Sequence, residues 1–212
     1  NLPSPGAMLL YFACEVDGRQ KFLRKLHAFK LGGRQGDQLF AQALGYGLAA
    51  EPWLECGFLP ARLLAGSDHC AAVIGGETIA AFAFAEPGRR YQMDAQLVKA
   101  KGGKLSGTKQ FVLSGGAADL LIVSAEQGGQ TALFAVAADA SGVEMRPYPV
   151  ADGSLAATVT FHEVAIGEAL NARLDPVIDA ARVMAGAEIV GIARRLFDDT
   201  LEYVKTREQF DQ

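Results

Sequence analysis

The 212-residue chain has little of what most metal, nucleotide and secretory signatures are built from. Its three cysteines, Cys14, Cys56 and Cys70, are odd in number and nowhere form a C-x-x-C pair. That pattern argues against a disulfide framework or a thiolate zinc site and points to a reducing compartment. His27, His69 and His162 lie far apart with no H-x-x-x-H spacing, so no metal is expected. No G-x-G-x-x-G motif and no P-loop occurs. Long apolar runs are missing too. Ala7 to Ala13 is far short of a bilayer span and lacks the basic lead-in and cleavage pattern of a signal peptide. With a formal net charge of -4, the chain has no general attraction to nucleic acid or to an anionic membrane. Lys21, Arg24, Lys25 and Lys30 cluster locally and read as a solvated helix face. The expectation is a cytoplasmic protein with no nucleic-acid or membrane partner.

What is present is a globular composition, 50% hydrophobic and 21% charged, on a chain long enough for one or two domains. Residues 1–75 read as helical. Phe22, Leu23, Leu26 and Phe29 recur at helical spacing before Gly32-Gly33, and Gln38 to Leu48 repeats the pattern. Pro52 opens a further helix carrying Trp53, Leu54, Leu59, Leu63 and Leu64. Trp53 on such an apolar face reads as core, although a ligand platform uses the same residue. From 76 to 168 the period changes. Thr78 to Phe84, Ala95 to Ala100, Lys109 to Leu113, Leu120 to Ala125, Thr131 to Ala137, Val143 to Pro147 and Ala156 to Val164 are short strand-like runs. Glycine pairs such as Gly102-Gly103 and Gly128-Gly129 separate them. Such spacing predicts an antiparallel sandwich or barrel, and the lack of strand–helix alternation disfavours a doubly wound parallel sheet. From Pro176, residues 169–212 return to a helical stripe through Ala181, Met184, Ile189, Ile192, Leu196, Leu201 and Val204. Ala185, Gly186, Ala187 and Gly191 along it are small enough for close helix packing. The predicted class is therefore α+β: a helical N-terminal segment, an antiparallel β-barrel or sandwich middle domain, and the first long helix of an incomplete C-terminal bundle.

The stretch from Lys104 to Ala125 organises this plan. Gln110 to Leu113 and Leu120 to Val123 are two apolar strands, and Ser114-Gly115-Gly116 between them supplies turn freedom, so a hairpin is expected. Small residues at its strand end would let a flat or charged ligand approach the backbone; a hairpin without a ligand uses the same residues.

Four segments, in order, resemble the acyl-CoA dehydrogenase family. Leu44-Gly45-Tyr46-Gly47-Leu48-Ala49-Ala50-Glu51-Pro52-Trp53 is similar to its "LGR-LAPEP" stretch, and Ala81-Phe82-Ala83-Phe84-Ala85-Glu86-Pro87 to its "TEP" strand. Lys109 to Ala125 resembles "GxKxFITNG…ADxxxVxA". Ala187-Glu188 to Phe210, with Tyr203 to Phe210, resembles the "AExxG…YxxxRxQFG" helix. The likeness runs from about residue 38 to 212. It implies FAD held against the β domain at Phe82, Phe84, Ala85, Phe111 and Leu113. Arg207 and Phe210 match residues that meet the FAD of a neighbouring subunit, and a guanidinium fork suits a pyrophosphate. Asp179 and Arg182 match the D-x-x-R of the helix beside the acyl-CoA, with Tyr91 in the loop that approaches substrate. The family removes the α-proton of a CoA thioester with a glutamate and passes the β-hydride to flavin. The product is an enoyl-CoA, and the electrons leave to an electron-transfer flavoprotein.

Several positions depart from that pattern. Ala85 and Leu113 stand where threonine hydroxyls usually meet the flavin, removing two hydrogen bonds of about 0.5–1.5 kcal/mol each. Gly88-Arg89-Arg90-Tyr91-Gln92-Met93 replaces a small-residue loop, and Asp211 replaces a glycine. No residue is assignable as the catalytic base: the position used by a minority of the family is Ala181, and Glu86 and Glu188 match structural glutamates. Two readings follow, an FAD-dependent dehydrogenase or part of one, and a non-catalytic subunit that completes a partner's FAD site. A cofactor-free β domain between helices is the third. For the first two a homo- or hetero-oligomer is expected, because the apolar stripe of the last helix needs cover.

Overall fold

A computed structural model describes residues 33–49, 52–151 and 153–208. The expected helix at Phe22 to Phe29 lies outside them. By internal contacts the chain forms two units, Pro52–Ile178 and a second that combines residues 33–49 with 179–208. None of the described helices is long and apolar enough to cross a membrane. The α+β class is observed.

The larger unit is built on a seven-stranded sheet: β1 (Ala80–Ala83), β2 (Lys99–Lys101), β3 (Lys104–Leu113), β4 (Leu120–Gln127), β5 (Gln130–Ala137), β6 (Val143–Pro149) and β7 (Leu155–Ala165). The glycine pairs make the turns that their sequence suggests. Gly102-Gly103 joins β2 to β3 and Gly128-Gly129 joins β4 to β5, all four with positive φ, as a two-residue hairpin turn requires. One expectation fails. Lys104 to Ala125 is no hairpin, because β3 and β4 are not paired; β1 and β2 lie end to end in the column between them. Both run parallel to β4, so the sheet is mixed where an antiparallel one was expected. The turn also differs from its sequence reading. Ser114, at φ 56, takes the left-handed conformation, while Gly115 and Gly116 are needed for space. A Cβ on Gly116 would stand 2.9 Å from Pro147 Cβ, and one on Gly115 would stand 3.0 Å from Val112 Cγ1. Asp119 completes the insertion: its carboxylate and its N–H bond the N–H and C=O of Ile79, seating the start of β1.

β4 is buried from Leu120 to Ala125 because both its faces are covered. Leu121, Val123 and Ala125 enter one cluster with Val98, Leu105, Phe134, Val159 and Phe161. Val136 of β5 and Val143 and Met145 of β6 meet in this cluster although they come from opposite edges, so the sheet curls round it as a sandwich does. Leu120 and Ile122 point the other way. They pack with Phe82 under α2 (Leu59–Leu63), which follows a π-helical turn at Leu54–Phe58, and α3 (His69–Ile74). Trp53 is buried with its ring edge-on to Phe58 at 6.3 Å, a core residue.

In the smaller unit α1 (Gly33–Tyr46) meets the body of α4 (Leu174–Thr206). The contact is made by missing side chains. A methyl on Gly191 would collide with the Gln42 carbonyl and stand 2.8 Å from the Tyr46 nitrogen; one on Gly45 would meet the Glu188 carbonyl. Gly191 thus permits the close packing its size suggests, and the Tyr46 hydroxyl donates to Asp198 across the same crossing at 3.1 Å. α4 begins two residues before the expected Pro176, and Asp175 lies in its first turn, where a carboxylate complements the helix dipole.

Candidate functional site

Placing β1 and β2 end to end leaves a break in the sheet. The chain leaves the column after Phe84, loops through residues 87–95 and returns at Val98, and along the break the Phe84 carbonyl and the N–H groups of Gln96, Leu97 and Val98 are met by side chains. Buried backbone polar groups need partners. Glu86 provides most of them. One carboxylate oxygen accepts the N–H groups of Gln96 and Leu97, and the other that of Val98, all at 2.9 Å. From β3, Lys109 reaches into the same gap. Its ammonium donates to the Phe84 carbonyl (2.9 Å), the Glu86 carboxylate (3.1 Å) and the Ser124 hydroxyl of β4 (2.9 Å). Three donors meet three acceptors, and the two side chains are 0% and 1% exposed.

Such a pair is costly to desolvate and holds only when its hydrogen bonds are complete. Burial alone would raise the Glu86 carboxyl, but the Val98, Gln96 and Leu97 donors and Lys109 outweigh it and hold the group below the usual carboxylate range. Burial brings the Lys109 ammonium down to about 8, against the pull of Glu86. From sequence, Glu86 carries only a structural match and Lys109 no role. The signal was a lysine and a glutamate inside two of the segments that carried the family likeness, the glutamate just after an apolar run.

Five of the expected cofactor residues lie on β1, just past its end and on β3, beside this suture. Phe82 is buried in the core, and its ring stacks on the half-buried Phe84 at 5.4 Å. The Ala85 carbonyl accepts the Gln110 N–H at 2.9 Å, which ties the end of β1 to β3. There β3 bulges between Lys109 and Val112. Phe111 sits in the bulge at φ 54, 50% exposed, while Val112 turns into the core and Leu113 is half-buried. A left-handed phenylalanine costs about 1–2 kcal/mol, and such strain concentrates at functional sites.

The loop after Glu86 folds onto itself. Arg89 donates to Gln96 (2.6 Å) and Asp94 (2.7 Å) and lies 3.6 Å from Glu86, so its charge is spent within the loop. Tyr91 is 91% exposed. The other expected residues belong to the helical unit. Asp179 and Arg182 pair with each other at 2.8 Å on the surface of α4. Arg207 lies just past the end of α4 with its guanidinium 5.6 Å from the Tyr203 ring centroid. Phe210 lies outside the described residues.

No family model matches the chain. It is 30% identical over 192 residues to acyl-CoA dehydrogenase FadE27 of Mycobacterium tuberculosis (strain ATCC 25618 / H37Rv), covering 80% of this chain and 48% of that protein. Among solved structures it superposes on the ChsE4-ChsE5 complex from Mycobacterium tuberculosis with TM-score 0.71 at 23% identity, over 99% of this chain and 64% of that one. Glutaryl-CoA dehydrogenase from Mycobacterium smegmatis in complex with FADH2 gives 0.78 at 19% identity, over 91% and 59%. At these identities the structures speak for the fold. The chain spans about half the length of the curated relative.

Proposed function

Starting from a chain that shares sequence and fold with the acyl-CoA dehydrogenases, we propose that it works as an FAD-dependent acyl-CoA dehydrogenase or as part of one. In this reading it acts in the cytoplasm on an acyl-CoA thioester and forms an α,β double bond, with an electron-transfer flavoprotein as electron acceptor. The observation that carries the reading is Phe111, held half-exposed against its backbone preference beside the end of β1.

The residues present fit a flavin. Phe111 and Phe84 offer aromatic surface to a flat ring. Backbone groups at Ala85 and Leu113 take over from the absent hydroxyls, and the exposed Arg207 suits a pyrophosphate, of this or a neighbouring subunit. When bound, FAD supplies the hydride acceptor. The residues that would hold it at the ring are Phe84, Ala85, Phe111 and Leu113, and this reading assigns Tyr91, Asp179 and Arg182 to the acyl-CoA. Removing the α-proton needs a carboxylate within hydrogen-bond reach, and this reading assigns that task to none of the described residues.

The test is an absorbance spectrum of the purified protein through the visible flavin bands, before and after adding FAD. A yellow protein, or a colourless one that takes up FAD stoichiometrically, is the expected result. Failure to take up FAD at any concentration removes the self-sufficient enzyme.

A second reading is a non-catalytic subunit that completes a partner's FAD site. Ala85 and Leu113 favour it, as do the exposed Ile189, Phe197 and Val204 on α4. The ChsE4-ChsE5 structure, a complex of two named chains, supports the pairing with another chain that this reading needs. Light scattering expects an oligomer in either reading; a clean monomer counts against both.

A further inference from the structure

The polar suture in the sheet does more than satisfy a gap. We propose that Lys109 is a positioning residue for the flavin edge, acting through the Phe84 carbonyl and the Glu86 carboxylate to set the backbone on which the ring is seated. This rests on the flavin reading above.

The geometry is specific. The Phe84 carbonyl, one residue before Ala85, accepts from Lys109, and the Ala85 carbonyl accepts from Gln110, the next residue along β3. Two consecutive carbonyls of the β1 end are therefore gripped by two consecutive residues of β3. Phe111, the third in that row, carries the exposed ring. The bulge that turns Phe111 outward begins at Lys109. A lysine facing inward at that point anchors the strand while the following residues leave the regular ladder. Glu86 extends the hold to residues 96–98, where the loop rejoins the sheet. Apolar side chains could fill the gap, but they could not hold the Phe84 carbonyl and three N–H groups in one arrangement.

The charged groups that face the Lys109 ammonium are Glu86 and, beyond it, Arg89, both from the stretch after β1; β4 presents only the Ser124 hydroxyl. Lys109 loses its proton in the folded chain near 8, against the ordinary 10.5. Between those values the unfolded chain holds a proton that the folded one lacks, so this group makes stability rise with pH. Positioning predicts the opposite trend for the cofactor. Once Lys109 is neutral its grip on Glu86 and the Phe84 carbonyl weakens, and flavin binding loosens. A purely structural lysine does not separate the two trends.

The experiment measures FAD affinity and the visible flavin spectrum from neutral to alkaline pH, alongside thermal stability. It compares the wild-type chain with Lys109→Met and with the charge-balanced pair Lys109→Met/Glu86→Gln. Glu163→Gln, in an exposed pair with Lys104, serves as control. In the wild type we expect affinity to fall about tenfold or more across the alkaline limb, with the flavin bands shifting in step. In the double variant affinity is already lowered and that dependence is gone. Flat affinity and spectrum in the wild type, or a double variant that binds FAD as the wild type does, overturns the inference and leaves the flavin reading intact. A wild-type chain that takes up no FAD overturns both. If neither variant folds, the wild-type titration alone decides.

Discussion

The curled sheet and the α1–α4 crossing solve the same problem, bringing backbones close together, by opposite means. In the sheet a break is closed by adding buried charge: Lys109 and Glu86, almost wholly hidden, spend their hydrogen bonds on each other, on the Ser124 hydroxyl and on stranded backbone groups. At the crossing nothing is added. Gly45 and Gly191 let one helix backbone lie against the other because a Cβ at either position would occupy the space of a carbonyl. A satisfied polar cluster tolerates one geometry, since each partner lost leaves another unpaired. A glycine contact asks only that the Cβ be absent, and there it excludes even a methyl. The difference teaches how precision is kept: by matched polar partners beside the candidate flavin edge, and by excluded volume at the helix contact.

The largest effect should come from unbalancing the suture. Lys109→Met leaves the Glu86 carboxylate buried without its cation and is expected to lower stability by about 3–5 kcal/mol, while adding Glu86→Gln removes the unpaired charge and recovers part of it. Urea unfolding of both variants measures this. Equal loss in the single and double variants would break the picture of a coupled pair.

Next comes the helix crossing. Gly191→Val drives a side chain into the backbone of α1 and should cost about 1–3 kcal/mol, seen as a lower melting temperature. Gly186, on the same helix, has open space around it. Gly186→Ala should therefore stabilise by about 0.5–1 kcal/mol through helix propensity alone. If both changes destabilise alike, the crossing is not made by Gly191.

The smallest change in stability is expected at the strained bulge. Phe111→Gly relieves a left-handed backbone worth about 1–2 kcal/mol and gives up a ring that is only half-buried, so the two offset to within about 1 kcal/mol. FAD uptake, by contrast, should weaken about tenfold with the loss of stacking. Unchanged uptake in an intact variant would remove Phe111 from the edge.

Local pattern carried much of this protein. The helical period of residues 38–48 and of the long stripe beyond Pro176 became α1 and α4, and paired glycines fixed the β2–β3 and β4–β5 turns by their need for positive φ. The segments holding Phe84, Ala85, Phe111 and Leu113 were recognisable because the residues at each strand end are short-range features. Order along the chain could not show that β1 and β2 slip between β3 and β4, since an intervening strand contributed from earlier in the chain leaves no mark on the turn it separates. Nor could it show that Phe111 faces outward, because a bulge shifts the two-residue alternation by one. The pairing of Lys109 with Glu86 is the clearest case: twenty-three residues apart, neither names the other as its partner. Only the closing of the sheet around the break, which strips both of water and gives each the other as partner, turns them into a structural unit.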